Sequence, residues 1–246
     1  MKIIAPSNIK IRILLFLTLF SIIVVISGGN ILFNLFSSVD VGIKNLKYKT
    51  VIIDAGHGGP DGGTNAEDGT LEKDLNLQIA NKLNDFLVSM GVETVMIRTD
   101  DISIHDDTAK SIREKKVSDL KNRLSILNNT DNAVFVSIHQ NHFSLEKYSG
   151  TQVFYSKNNH DSYNLADFIR QSVITGLQPE NSREIKPSGS EIYLLHHAEN
   201  PAVMVECGFL SNSEETEKLK DEDYQRKLAL FISLGILDFI NKTEAV

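Results

Sequence analysis

The chain of 246 residues contains one cysteine, Cys207, so no internal disulfide can staple it. A domain with a large enough core manages without one even outside the cell, and the absence does not argue against export. Cys207 lies in an apolar run beside Glu206 and reads as a small buried hydrophobe, since no histidine partner for a thiolate is suggested nearby. Positive charge is also scarce. The net charge is −7, and the three cations Lys2, Lys10 and Arg12 are the only charges in the first 39 residues, so the rest of the chain carries −10. That excludes nucleic acid, whose phosphates need a basic surface. An anionic polymer would have to be held by a specific site and not by bulk attraction. The sequence has no internal repeat, no low-complexity stretch and no short His-Glu-x-x-His helix. Hydrophobic residues make up 41% and charged residues 23%, ordinary for a globular chain with a sizeable core. The length suits one domain, or one domain with an appendage.

The appendage is expected at the N-terminus. Behind the basic tip, Ile13 to Val39 carries no charge and Ile13 to Ile26 is almost wholly apolar. This is the layout of a secretory signal, with Ser27 and Gly29 as small residues near a cleavage point, or of an uncleaved signal-anchor. Ile31 to Phe36 prolongs the apolar character toward the roughly 20 residues a spanning helix needs. Either way residues 1–45 form a cytoplasmic tip, signal or anchor helix and linker. Residues 46–246 are then an extracytoplasmic domain that meets the membrane only through that segment.

From about Leu46 strands alternate with helices. Strands are predicted at Thr50–Asp54, Val92–Arg98, Ala133–Ile138, Thr151–Tyr155, Glu191–Leu195 and Ala202–Glu206. Helices are predicted at Lys73–Met90, Ser111–Asn128, His160–Gly176 and Glu222–Asn241, with residues 177–190 as a loop. The continuous apolar run Ala133–Ile138 is typical of a central strand covered on both faces. The expected fold is α/β, a single three-layer domain with a mostly parallel sheet between helices.

Four polar residues stand at the ends of these elements. His57 follows the first strand in the glycine-rich turn Gly56-His57-Gly58-Gly59, where glycines let a metal or substrate approach the backbone. Glu72 opens a helix for which Thr70 is the expected N-cap, and the helix dipole favours its ionised form. His139 ends the most hydrophobic strand, and is preferred to His142, which begins the next loop. Glu206 ends a strand where no solvated carboxylate is needed, so a raised pKa is expected there. Two histidines and a carboxylate can hold a zinc ion with an open fourth position, and a second carboxylate can serve as the base. Taken singly, each residue also has an ordinary structural explanation. The residues themselves lead to an exported α/β domain with the makings of a zinc hydrolase, and no further.

The segments Asp54-Ala55-Gly56-His57-Gly58-Gly59, Leu71-Glu72-Lys73-Asp74, Ser137-Ile138-His139-Gln140-Asn141 and Val205-Glu206-Cys207-Gly208-Phe209-Leu210-Ser211-Asn212, read together, resemble the zinc-dependent N-acetylmuramoyl-L-alanine amidases of bacteria. The resemblance runs over about residues 50–240, with Ala55 where the family usually has proline. It implies one zinc per chain at His57, Glu72 and His139, and Glu206 as catalytic carboxylate. The implied reaction is hydrolysis of the amide between N-acetylmuramic acid and L-alanine of the peptidoglycan stem peptide. Asn141 and Arg123 match family positions near the site and are expected to support it or to bind substrate. Many members carry repeats or a wall-binding domain, and neither is expected here. The run His57 to Gly63 and the charged insertion Ser103–Asp119 look like the germination-specific amidases of endospore formers. That subgroup implies work on spore cortex in the forespore intermembrane space, ahead of muramic-δ-lactam formation, with a coupled deacetylase; the sequence leaves an activating accessory protein open as a further partner. The competing readings are an exported zinc peptidase that cuts within stem peptides, and a non-catalytic wall-binding module.

Overall fold

The computed structural model describes residues 46–243, so the expected signal or anchor segment lies outside the described residues. Among the described residues no helix is long and apolar enough to cross a membrane. The elements run β1 (Thr50–Ala55), α1 (Glu72–Ser89), β2 (Glu93–Met96), α2 (Ile112–Asn129), β3 (Ala133–Asn141), β4 (Gln152–Tyr155), α3 (Asp161–Gly176), β5 (Lys186–Pro187), α4 (Tyr193–His197), β6 (Ala202–Phe209), α5 (Ser213–Lys220) and α6 (Glu222–Lys242). The strands form one sheet in the order β2-β1-β3-β6-β4-β5. Every pairing is parallel except β4 with β6. This is the expected three-layer α/β domain.

Alternation along the strands separates the two faces. Val51, Ile53, Val134, Val136, Val203 and Val205 point into one core with Leu75, Ile79, Leu83 and Leu87 of α1. Leu165, Ile169 and Val173 of α3 join it, as do Leu228, Ile232, Ile236 and Phe239 of α6. Ile52, Phe135 and Ala202 point the other way, into a smaller core with Leu127 of α2 and Leu194 and Leu195 of α4. Because both faces are covered, β1 is buried at all six positions and reads as an unbroken apolar run ending in Asp54-Ala55.

Local signals set the helix ends. Ser111 and Glu114 form a capping box at the start of α2, each side chain accepting from the other's backbone N–H. Asp221 caps α6 by accepting from the Tyr224 N–H. Helix α1 differs from the expectation: its N-cap is Leu71, with no side-chain capping bond, and Thr70 plays no such part. The Glu72 N–H donates instead to the Thr64 carbonyl, tying the helix start to the loop that carries His57.

Three further differences concern element boundaries. Glu191–Leu195 was expected as a strand, but Tyr193–His197 is a short helix that sends neighbouring Leu194 and Leu195 into the same core, whereas successive strand residues point to opposite faces. Residues Ser213–Lys220 form a helix that was not expected, because only Thr216, Leu219 and the carboxylate Glu215 are buried in a polar stretch. Strands β3 and β6 run past His139 and Glu206 to Asn141 and Phe209, with a register shift between His139 and Asn141.

Candidate active site

The parallel strands β1, β3 and β6 deliver their C-terminal ends to one edge of the sheet, the usual place for chemistry in open α/β folds. The structure brings His57, Glu72 and His139 together there, with one donor atom from each within 4.8 Å of the others. His57 Nε2 lies 3.3 Å from Glu72 Oε2. His139 Nδ1 lies 2.9 Å from Glu72 Oε1. Donor atoms bound to one tetrahedral zinc at about 2.0–2.1 Å stand roughly 3.3 Å apart, and both His–Glu72 contacts lie near that spacing, so the donor set suits such an ion.

The backbone makes room for this cluster. A Cβ on Gly56 would stand 2.2 Å from His139 Nε2, and one on Gly63 would stand 2.5 Å from Glu72 Oε2 and 2.7 Å from His57 Cδ2. His57 itself adopts φ 63°, a left-handed conformation uncommon for a side-chain-bearing residue. Strain of this kind persists only where the surroundings hold it. Here the His57 carbonyl accepts from Arg123 Nη2 at 2.7 Å.

Arg123, expected to support the site or bind substrate, is 1% exposed and spends all five of its N–H donors on the protein. They reach Asp54 and the carbonyls of Ala55 and His57, and both carboxylate oxygens of Asp119. All five bonds brace the turn that carries His57, while Arg123 also borders the cavity over the cluster. Arg98, which the sequence did not single out, does similar work from the other side, donating to the carbonyls of Ala55, Gly56, Asp100 and Lys73. Asn141, the other expected substrate contact, is half-buried at the end of β3, where its carbonyl accepts from Leu210 N–H.

The charge states follow from these contacts. Burial works against ionised Glu72, but hydrogen bonds with His139 and His57 outweigh it and hold the carboxyl well below its usual range. Burial likewise opposes protonation of His57, while Asp61 and Glu72 on its two ring nitrogens raise its pKa to about 9. Glu206 behaves in the opposite way. It pairs in register with His139 across β3 and β6, and its Oε2 is buried with no hydrogen-bond partner among the described residues. Burial pushes its pKa up to about 7. Neighbouring Cys207 is fully buried in the larger core, and burial pushes its thiol up as well, which removes it as a nucleophile at neutral pH.

A cavity of about 180 Å³ opens over the cluster, between His57 and His139 on one side and Leu120, Tyr193 and Met204 on the other. A larger hollow of about 750 Å³ lies between residues 147–150 and the 177–183 loop, and none of the cluster residues lines it. The chemistry therefore belongs to the smaller cavity. Two histidines at strand ends and a glutamate at a helix start that could hold a metal ion, beside a carboxyl with a raised pKa, suit a metal-dependent hydrolase.

Comparison with known proteins narrows that class. Residues 51–238 match the N-acetylmuramoyl-L-alanine amidase family, and the chain belongs to it. The germination-specific N-acetylmuramoyl-L-alanine amidase of Bacillus subtilis (strain 168) is 32% identical over 197 residues, covering 80% of this chain and 82% of the relative. The CwlD amidase of Clostridioides difficile, solved in complex with the GerS lipoprotein, is 43% identical with a TM-score of 0.75, covering 78% of this chain and 98% of that one. A second amidase from Clostridium difficile 630 is 33% identical with a TM-score of 0.69, over 80% of this chain and 98% of its own. The protein is thus a peptidoglycan hydrolase, an amidase of the N-acetylmuramoyl-L-alanine type.

Proposed function

We propose that this amidase is zinc-dependent, that His57, Glu72 and His139 hold the ion, and that Glu206 is its catalytic carboxylate. The observation that carries the reading is the approach of those three donor sets to within 4.8 Å beside a half-buried carboxyl, its Oε2 shielded from solvent, with a pKa of about 7. Zinc bound there would supply Lewis acidity toward the amide carbonyl and lower the pKa of water to about 7. Glu206, poised near neutrality, takes a proton from water and returns it to the leaving amine of L-alanine. Its bare Oε2 leaves an acceptor free for that exchange. Arg123 and Arg98 keep the His57 turn in place.

We extend the reading to spore cortex. There the enzyme strips stem peptides from muramic acid ahead of muramic-δ-lactam formation, and a deacetylase completes the lactam. Support comes from similarity to a germination-specific amidase. Similarity to an amidase solved with a lipoprotein supports an accessory partner here too. In this reading residues 1–45 are the export signal or anchor, and residues 46–246 work outside the cytoplasmic membrane.

The test is mass spectrometry of peptidoglycan digested by the purified protein, with added zinc and with chelator. Zinc-dependent release of whole stem peptides bearing a free N-terminal alanine is expected. Cuts within the peptide would support a peptidase instead, and no release from a zinc-loaded protein would contradict the reading. In cells, spores that lack the protein are expected to lack muramic-δ-lactam.

A further inference from the structure

The two histidines of the cluster are held by different means. His139 is confined sterically, its ring packed against Gly56 so closely that no Cβ fits there. His57 instead has a carboxylate on each ring nitrogen: Glu72 at Nε2, and Asp61 at Nδ1, 3.0 Å away. A carboxylate can only accept, so this contact keeps a proton on Nδ1 and leaves Nε2, which faces Glu72 and His139, as the nitrogen a metal would bind. Asp61 is itself fixed. Its backbone exchanges two hydrogen bonds with Gly58, at 2.9 and 3.1 Å, closing the turn. Lys116 of α2 approaches its Oδ2 to 3.1 Å. Lys116 sits in the charged insertion between β2 and β3, so the insertion reaches the His57 ring through this carboxylate, and the His57 backbone through Asp119 and Arg123.

We propose that Asp61 is a positioning residue for His57, orienting the ring and fixing its tautomer for metal binding, and that the contact with Lys116 steadies Asp61 from α2. The inference rests on the reading of His57, Glu72 and His139 as the metal set. Outer carboxylates that orient a ligating imidazole are typically worth 10- to 100-fold in metal affinity. His139 has no such partner, so the effect of Asp61 acts through His57 alone.

The experiment is competition of the full-length protein against a chelating zinc indicator, read as a dissociation constant and independently of turnover. Asp61→Ala is expected to weaken zinc binding by about 10- to 100-fold. Asp61→Asn, which keeps an acceptor oxygen without the charge, should fall between it and wild type. The metal-free variants should melt close to wild type, and NMR should see the His57 Nδ1 proton in the wild type but lose it to exchange in Asp61→Ala. A zinc affinity within twofold of wild type in Asp61→Ala would overturn the proposal. So would Lys116→Ala costing as much as Asp61→Ala, because the effect would then belong to the docking of α2. Failure of the parent reading looks different: His57→Ala would then bind zinc as tightly as wild type.

Discussion

The two sides of the catalytic edge are built on opposite principles. On the β1 side nearly every polar atom is satisfied: Arg123 uses five donors, Arg98 lends hydrogen bonds to four carbonyls, and His57 is bracketed by two carboxylates. On the β6 side Glu206 keeps a buried oxygen without a partner and a pKa near neutrality. Groups that must stay in one charge state and one place are saturated with hydrogen bonds. The group that must gain and lose a proton is left desolvated and unpaired, which costs stability but tunes its pKa. On the proposed reading, the difference lets one edge of the sheet both hold a metal and exchange protons.

Breaking the saturated side should have the largest effects. His57→Ala or His139→Ala is expected to lose zinc and turnover together, activity falling by about 10³-fold or more, as chelation should do to the wild type. Metal analysis and a peptide-release assay on the same preparations check this. Retained zinc in both variants would contradict the ligand assignment.

Arg123→Met comes next. It strands Asp54 and Asp119 in a buried setting, and losing one partner of such a network costs about 3–5 kcal/mol. Urea unfolding should show it. A loss under about 1 kcal/mol would mean that the guanidinium is not what holds the His57 turn.

A smaller effect sharpens the other side. Between about pH 4.5, where an ordinary glutamate titrates, and about 7, folded metal-free protein keeps a proton on Glu206 that the unfolded chain has released. Stability therefore falls as pH rises through this window, and the loss is complete above it, on the order of 3 kcal/mol. Glu206→Gln removes that loss. Its stability relative to wild type should be higher at pH 8 than at pH 5, measured by urea unfolding in chelator. Equal differences at both pH values would argue against the raised pKa.

Much of the site could be read before the fold because parallel strands buried on both faces have few reasons to end in charged groups. His57, His139 and Glu206 stand where apolar runs stop, so the sequence itself marks them. What stayed hidden depends on chain reversal. Asp61 is only four residues from His57, but their contact requires the left-handed His57 conformation and the Gly58–Asp61 pairing, neither of which has a periodic signature. Arg123 sits in a charged helix where only its match to a family position marks it, and its burial under the β1 turn emerges once α2 is packed. Glu191–Leu195 differs because a short apolar run suits a strand or a buried helical turn equally, and only the packing of Leu194 and Leu195 into one and the same core decides between them. Ser213–Lys220 escaped because its apolar face is little more than Leu219.

The most direct test of the division between the two sides is zinc content and turnover measured together on Glu206→Gln. The account predicts one zinc per chain, as in wild type, with peptide release reduced by about 10²- to 10⁴-fold. A variant that keeps its zinc and remains active would remove Glu206 from the mechanism. A variant that loses its zinc would make Glu206 part of the metal-holding side and contradict the division itself.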